Sequence, residues 1–297
     1  MPGDRFPAEH EIADLVPRPG SLTWRVAGDV RLLATAGYAL ALQVSHPTVG
    51  AGVSEHSSFR AQPWPRLVRT LDFVNLMVYG GPAAAARAGR RLRETHRHIH
   101  GVRPDGTHYS ALEPEAYAWV HATLAEGIVT GNRWFVSPLR AAEVEQFLRE
   151  WCGLGRLLGI RPGELPQEWG DFRRYFDEMV GARLAATDAL ADVLAALARP
   201  AAPPLPILRG RAWGAVRAPL ARALSLATVG LMPAVLRERA GVSFEPARGR
   251  ELRMIAAATR GAGPLMPAAL RVYGPTHLRV RRRQIARSYP APMPGLS

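Results

Sequence analysis

Three histidines crowd the segment Arg93-Glu-Thr-His96-Arg-His98-Ile-His100-Gly101, and imidazole is both a nitrogen donor for iron or zinc and an acid or base near neutral pH. Their spacing separates them. At roughly 100° per helical residue, Ala85, Gly89, Leu92, His96 and Ile99 fall on one narrow apolar stripe, with Arg93 and His100 on its flank and His98 nearly opposite. An imidazole centred on a core-facing stripe, with the bare Gly89 two turns away, can reach a flat cofactor pressed against the helix. The plainer reading is a helix end: histidines complement the C-terminal dipole, and Gly101 followed by Pro104 reads as a stop.

A second set lies just upstream, in a stretch that begins at Pro63 and Pro65 and closes at Gly80 and Gly81 as a helix would. Arg66 and Thr70 are four apart and share a face with Leu67, Phe73, Val74 and Met77, so a guanidinium and a hydroxyl both point toward an apolar interior. Alternatively, Arg66 snorkels from the first turn and Thr70 returns its hydroxyl to the carbonyl four residues back. Two further histidines compete with His96. His121 shares an inward face with Tyr117, Ala118 and Leu124, and His46 ends an apolar run just before Pro47, where a helix must break or bend. A second axial histidine would make a six-coordinate electron-transfer site, because dioxygen needs a vacant position on iron.

Five strings in order, Ala41-Leu-Gln-Val-Ser-His46-Pro47, Arg66-Leu-Val-Arg69-Thr70, Arg93-Glu-Thr-His96 with Gly101, Trp119-Val-His121-Ala-Thr-Leu124 and Ser225-Leu-Ala-Thr-Val-Gly-Leu-Met-Pro233, carry a family resemblance that no single one of them would. It resembles the oxygenase-type domain shared by latex-clearing (rubber) oxygenases and the MpaB-like enzymes that shorten prenyl side chains, over roughly Thr23 to Gly241. The resemblance implies an all-α protein with a globin-like core and one non-covalent haem b, with dioxygen as co-substrate. His96 matches the proximal iron ligand and Arg93 an arginine beside it. Arg66 and Thr70 match residues lining the distal side, where dioxygen and an apolar, isoprenoid-like alkene meet. Fixed donors there would stabilise charge developing on oxygen.

Two positions depart from the pattern or leave it open. Latex-clearing oxygenases can carry a lysine directly before the threonine that caps iron in a closed resting form; here the residue is Arg69, and the chain contains no lysine. A guanidinium stays protonated and has no lone pair for iron, so that resting state is excluded. Family enzymes also use a glutamate between the first histidine motif and the arginine helix, and Glu55 is the only carboxylate in that stretch.

The composition fits a helical protein that binds a cofactor. The chain has 297 residues, enough to bury a large core. It is rich in Ala and Leu, with few β-branched runs. Its single cysteine, Cys152, excludes an internal disulfide and Cys-X-X-Cys-His attachment of haem. No export signal is legible at Met1-Pro-Gly-Asp-Arg-Phe-Pro7, which points to a cytoplasmic protein and away from rubber itself. The apolar stretches Leu32–Val44 and Ala223–Leu236 are shorter than the roughly 20 residues that cross a bilayer.

All 38 basic residues are arginine and the net charge is +13. They are scattered among acids without a nucleic-acid-binding motif, so a nucleic-acid partner is not expected. The basic run Arg279–Arg287 instead offers a peripheral membrane contact. Two other classes stay open: a non-haem metal site built from glutamates such as Glu143, Glu145 and Glu150 with a histidine, and a non-catalytic carrier of an apolar ligand.

The elements that would position these residues are helices near 28–45, 64–79, 83–100, 114–130, 139–158, 170–198, 209–237 and 248–258. They are flanked by an irregular arm over 1–22, a stiff proline connector at 200–206, a C-terminal basic extension over 242–297 packed on or beside the 23–241 domain, and a mobile tail from Tyr289 onward.

Overall fold

The computed structural model describes residues 6–56, 62–103, 105–204, 208 and 210–290. It is all-α apart from one two-stranded hairpin. The helices are α1 Glu9–Leu15, α2 Leu22–Val26, α3 Ala36–Val44, α4 Pro47–His56, α5 Pro63–Tyr79, α6 Gly81–Arg97, α7 Pro114–Phe135 and α8 Ala141–Leu157. They continue with α9 Trp169–Glu178, α10 Asp188–Ala198, α11 Arg211–Leu231, α12 Ala234–Arg239, α13 Pro246–Ala262, α14 Ala268–Arg271 and α15 Tyr273–Ser288. Prolines in the first turn open α5, α6, α7 and α13, where a missing N–H costs nothing.

The centre of the fold is α3, six of whose nine residues are buried, packed on α4, α7, α10 and α11. Trp119 of α7 is fully buried and its indole N–H donates to the Leu42 carbonyl of α3 at 3.0 Å, locking the two helices in register. Between α5 and α6 the chain turns at Gly80 and Gly81, the latter at φ +76°, a conformation that glycine adopts without strain. The two helices pack against each other across this turn. Arg66 and Thr70 lie in the first half of α5, and Arg93 and His96 in the last two turns of α6.

Several boundaries differ from the sequence expectation, each for a visible reason. The helix expected to 100 ends at Arg97; His100–Val102 and His108–Ser110 instead pair antiparallel as β1 and β2 across a turn at Gly106, φ +82°. The helix expected over 170–198 opens into a π-turn at Met179–Arg183 and then breaks: the Ala185 amide donates to Ser45 O, and Thr187 caps α10 while donating to Val44 O. Pro233 ends the run expected over 209–237. The expected irregular arm contains α1, held by the Glu11 carboxylate on the Ala8 amide and by burial of Ile12 and Leu15. Residues 205 and 206 of the proline connector and 291–297 of the tail lie outside the described residues, while Trp64 donates to Ala201 O within the connector. No helix of the described residues is long and apolar enough to cross a membrane.

Candidate functional site

Helix α6 carries the histidine stripe against its neighbours. Ala85, Ala86, Ala88 and Gly89 are buried, and a Cβ on Gly89 would lie 2.7 Å from the Leu157 carbonyl, so α6 rides directly on the backbone of α8. One turn from the end of this stripe, His96 is partly buried and its ring meets the edge of Tyr117 on α7 at 5.6 Å between centroids. Burial lowers the imidazole to about 4, so it is neutral at pH 7 and keeps a lone pair. Its Nδ1 is buried and has no hydrogen-bond partner among the described residues, and the Tyr117 hydroxyl is in the same condition. Buried polar atoms are almost always satisfied, so two orphans in ring contact mark a place where the protein alone does not complete the bonding.

Arg93, one turn earlier, donates from Nη1 to the Leu158 carbonyl at 2.9 Å and lies over Gly159, where a Cβ would fall 1.8 Å from that nitrogen. Gly159, at φ +84°, is therefore required twice, by backbone conformation and by the guanidinium that covers it. Arg93 thus ties the His96 end of α6 to the turn after α8.

On α5 the Thr70 hydroxyl is exposed and donates to the Arg66 carbonyl at 3.1 Å, the local bond that a helical threonine commonly makes. The Arg66 guanidinium is partly buried, and burial together with Arg69 lowers its pKa from the usual value. Arg69 is exposed.

Glu55 and His100 come together away from α5. The exposed Glu55 at the end of α4 accepts a short hydrogen bond from the Tyr109 hydroxyl of β2, and Gly101 lies so close that a Cβ there would be 2.7 Å from Glu55 Oε2. His56 donates to the His100 carbonyl at 3.3 Å, and the His100 side chain is exposed on β1. Because the helix stops at Arg97, His100 does not extend the stripe of His96. Tyr109 and Tyr117 were not singled out as site residues from the sequence; Tyr117 shares the inward face of His121, which was the available signal.

Of the two rival histidines, His121 is bonded through Nε2, whereas His46 is bonded only at Nε2 and keeps a buried Nδ1 without a partner among the described residues, as His96 does. His121 is buried, its Nε2–H donates to the Trp151 carbonyl at 2.9 Å, its ring stacks on Trp151, and the Trp151 indole donates back to the His121 carbonyl at 3.1 Å. His46 is buried with Nε2 3.4 Å from Glu115, and burial lowers its pKa. The glutamates of α8 act as caps: Glu143 on the Arg140 amide, Glu145 on the Trp169 amide, and Glu150 on the amides of Leu22 and Thr23. Among the described residues no group of three or more His, Cys, Asp or Glu side chains could hold a metal ion. A neutral imidazole with an unmet bonding position could supply the one protein ligand that haem iron needs, whereas a metal site built from protein alone would need several.

A motif invisible in the sequence lies on the far face of α5. Asp72, buried among apolar residues, accepts from His277 Nε2 at 2.7 Å and from both Nε and Nη2 of Arg281 at 2.6 and 2.8 Å, while the Tyr273 hydroxyl donates to His277 Nδ1 at 2.8 Å. This network clamps α15 to α5.

Comparison with known proteins adds the name of the group. No curated protein and no solved structure matches the chain. The family model described as ER-bound oxygenase mpaB/B'/rubber oxygenase, catalytic domain, matches residues 24–261, well over half of the sequence, so the chain belongs to the MpaB and rubber-oxygenase catalytic-domain family.

Proposed function

We propose that this protein is a haem-b-dependent oxygenase of an apolar, isoprenoid-like alkene, with His96 as the proximal iron ligand. Membership of an oxygenase family supports dioxygen chemistry, and the observation that carries the cofactor assignment is the neutral His96 imidazole whose buried, unsatisfied Nδ1 comes with a second unsatisfied group in ring contact, the Tyr117 hydroxyl, a pairing His46 lacks. Haem supplies a site at which dioxygen is bound and activated. The chain supplies the rest. His96 would hold the haem iron, with the edge of Tyr117 against its ring and Arg93 tying the end of α6 to Leu158. On α5, Arg66 and Thr70 would offer a cation and a hydroxyl to orient dioxygen; Thr70 would have to turn its hydroxyl away from Arg66 O to do so. Glu55, which accepts from the Tyr109 hydroxyl, would carry a proton at the hairpin rim.

The test is oxygen uptake by haem-loaded protein with a short polyisoprenoid alkene and with its saturated analogue. Uptake with the alkene alone, lowered at least about tenfold by Thr70→Ala with haem content unchanged, supports the reading. Equal rates with both compounds contradict it.

A further inference from the structure

The C-terminal helices carry a second function-bearing surface. From Leu252 to the end of the sequence there are eight arginines and no Asp, Glu or Lys, although the chain as a whole mixes both signs. Two faces of α15 divide these residues. One face is anchored: Arg281 and His277 bind Asp72, Ile285 is buried, and the Tyr273 and Gly274 amides donate to the Gly28 carbonyl. At roughly 100° per residue, Arg279, Arg282, Arg283 and Arg287 share the opposite arc with Val280, and all five are exposed. None of these four guanidiniums lies within ion-pair distance of a carboxylate among the described residues.

The approach to α15 is unusually apolar for a surface. Leu265 is 86% exposed and Val280 75%, and Leu270 and Val272 between them are exposed as well. Singly exposed apolar side chains are ordinary, but these sit in one short run of chain together with uncompensated positive charge. Duplex nucleic acid would use the charge and leave the aliphatic side chains in water. An anionic bilayer uses both, because guanidinium groups meet lipid phosphates while Leu and Val enter the headgroup boundary.

We infer that the exposed face of α15, with Leu265, Leu270 and Val272, docks the protein peripherally on an anionic phospholipid surface. The inference rests on charge and apolar exposure in the C-terminal helices and is independent of the haem assignment, so either can fail alone. It also gives α5 two neighbours, the docking helix on its Asp72 face and the His96 helix on another.

The experiment is co-sedimentation of the full chain with vesicles of phosphatidylcholine alone and of phosphatidylcholine and phosphatidylglycerol in equal parts, at low and high salt. Binding only to the anionic vesicles, weakened by salt, is expected. Replacing Arg279, Arg282, Arg283 and Arg287 together by Gln should weaken it by about a hundredfold or more, at about one kilocalorie per charge. The single variant Arg283→Glu, at the middle of the arc, should weaken it more than about tenfold. Leu265→Ser with Val280→Ser keeps every charge and should still lose about tenfold. Equal binding to neutral vesicles, no loss on removing the four arginines, or unchanged vesicle binding by the Leu265/Val280 variant alongside tight binding to duplex DNA would each overturn the inference.

Discussion

His121 and His96 are both inward-facing histidines of the helical core, and burial brings both imidazoles down to about 4, yet their surroundings differ in kind. His121 is one stitch in a closed seam: its N–H reaches the Trp151 carbonyl, the Trp151 indole reaches back, and the rings stack at 5.1 Å. His96 has only the edge of Tyr117 and an unsatisfied Nδ1. Burial and a depressed pKa therefore do not by themselves mark a ligand. What distinguishes the two positions is unmet bonding capacity, which has a structural cost and persists where function repays it.

The sharpest way to break this contrast is through Trp151. Trp151→Ala removes the stack, the indole bond and a fully packed side chain, and should cost about 3–5 kcal/mol in urea unfolding. Acidification should act on both histidines. Their folded pKa lies below the ordinary 6.5, so the unfolded chain binds more protons between about 6.5 and 4. Stability from each is thus complete above pH 6.5 and is lost as pH falls toward 4, by about 3 kcal/mol per histidine, read from unfolding midpoints across that range.

His121→Ala removes the imidazole bond to the Trp151 carbonyl and the stacked ring, leaves a cavity beside Gly155, and should cost about 2–4 kcal/mol at pH 7. His96→Ala in the cofactor-free protein should cost less than about 1 kcal/mol, because an orphaned polar atom leaves with the ring, and it should shrink the acid loss by about half. If the two alanine variants are equally destabilised, the two sites do not differ in the way described. The smallest effect belongs to Thr70→Ala, an exposed helical position whose local bond is worth a few tenths of a kcal/mol; its consequence should be in oxygen chemistry alone.

The long helices and the position of His96 on an inward stripe were legible because prolines open them, glycines close them and the 3.6-residue period marks the buried face. The hairpin that displaces His100 was not, since each strand is three residues long and its partner is fixed by Gly106 and by contact with α4. The break before α10 depends on hydrogen bonds from Ala185 and Thr187 to the end of α3, more than a hundred residues away, and no local pattern encodes them. The Asp72–His277 clamp joins residues 205 apart and was illegible for the same reason. At the site, Arg66 and Thr70 were placed on the correct helix by spacing, but the orphaned state of His96 is a statement about what surrounds it, which only the packed structure contains.

The claim that His96 is held in reserve for iron is tested most directly by the absorption spectrum of the purified protein supplied with haem, compared with His96→Ala shown to be folded by circular dichroism. The account predicts a Soret band in the parent protein that the folded His96 variant loses. A variant that keeps full haem occupancy, or a parent protein with no Soret band, would contradict it.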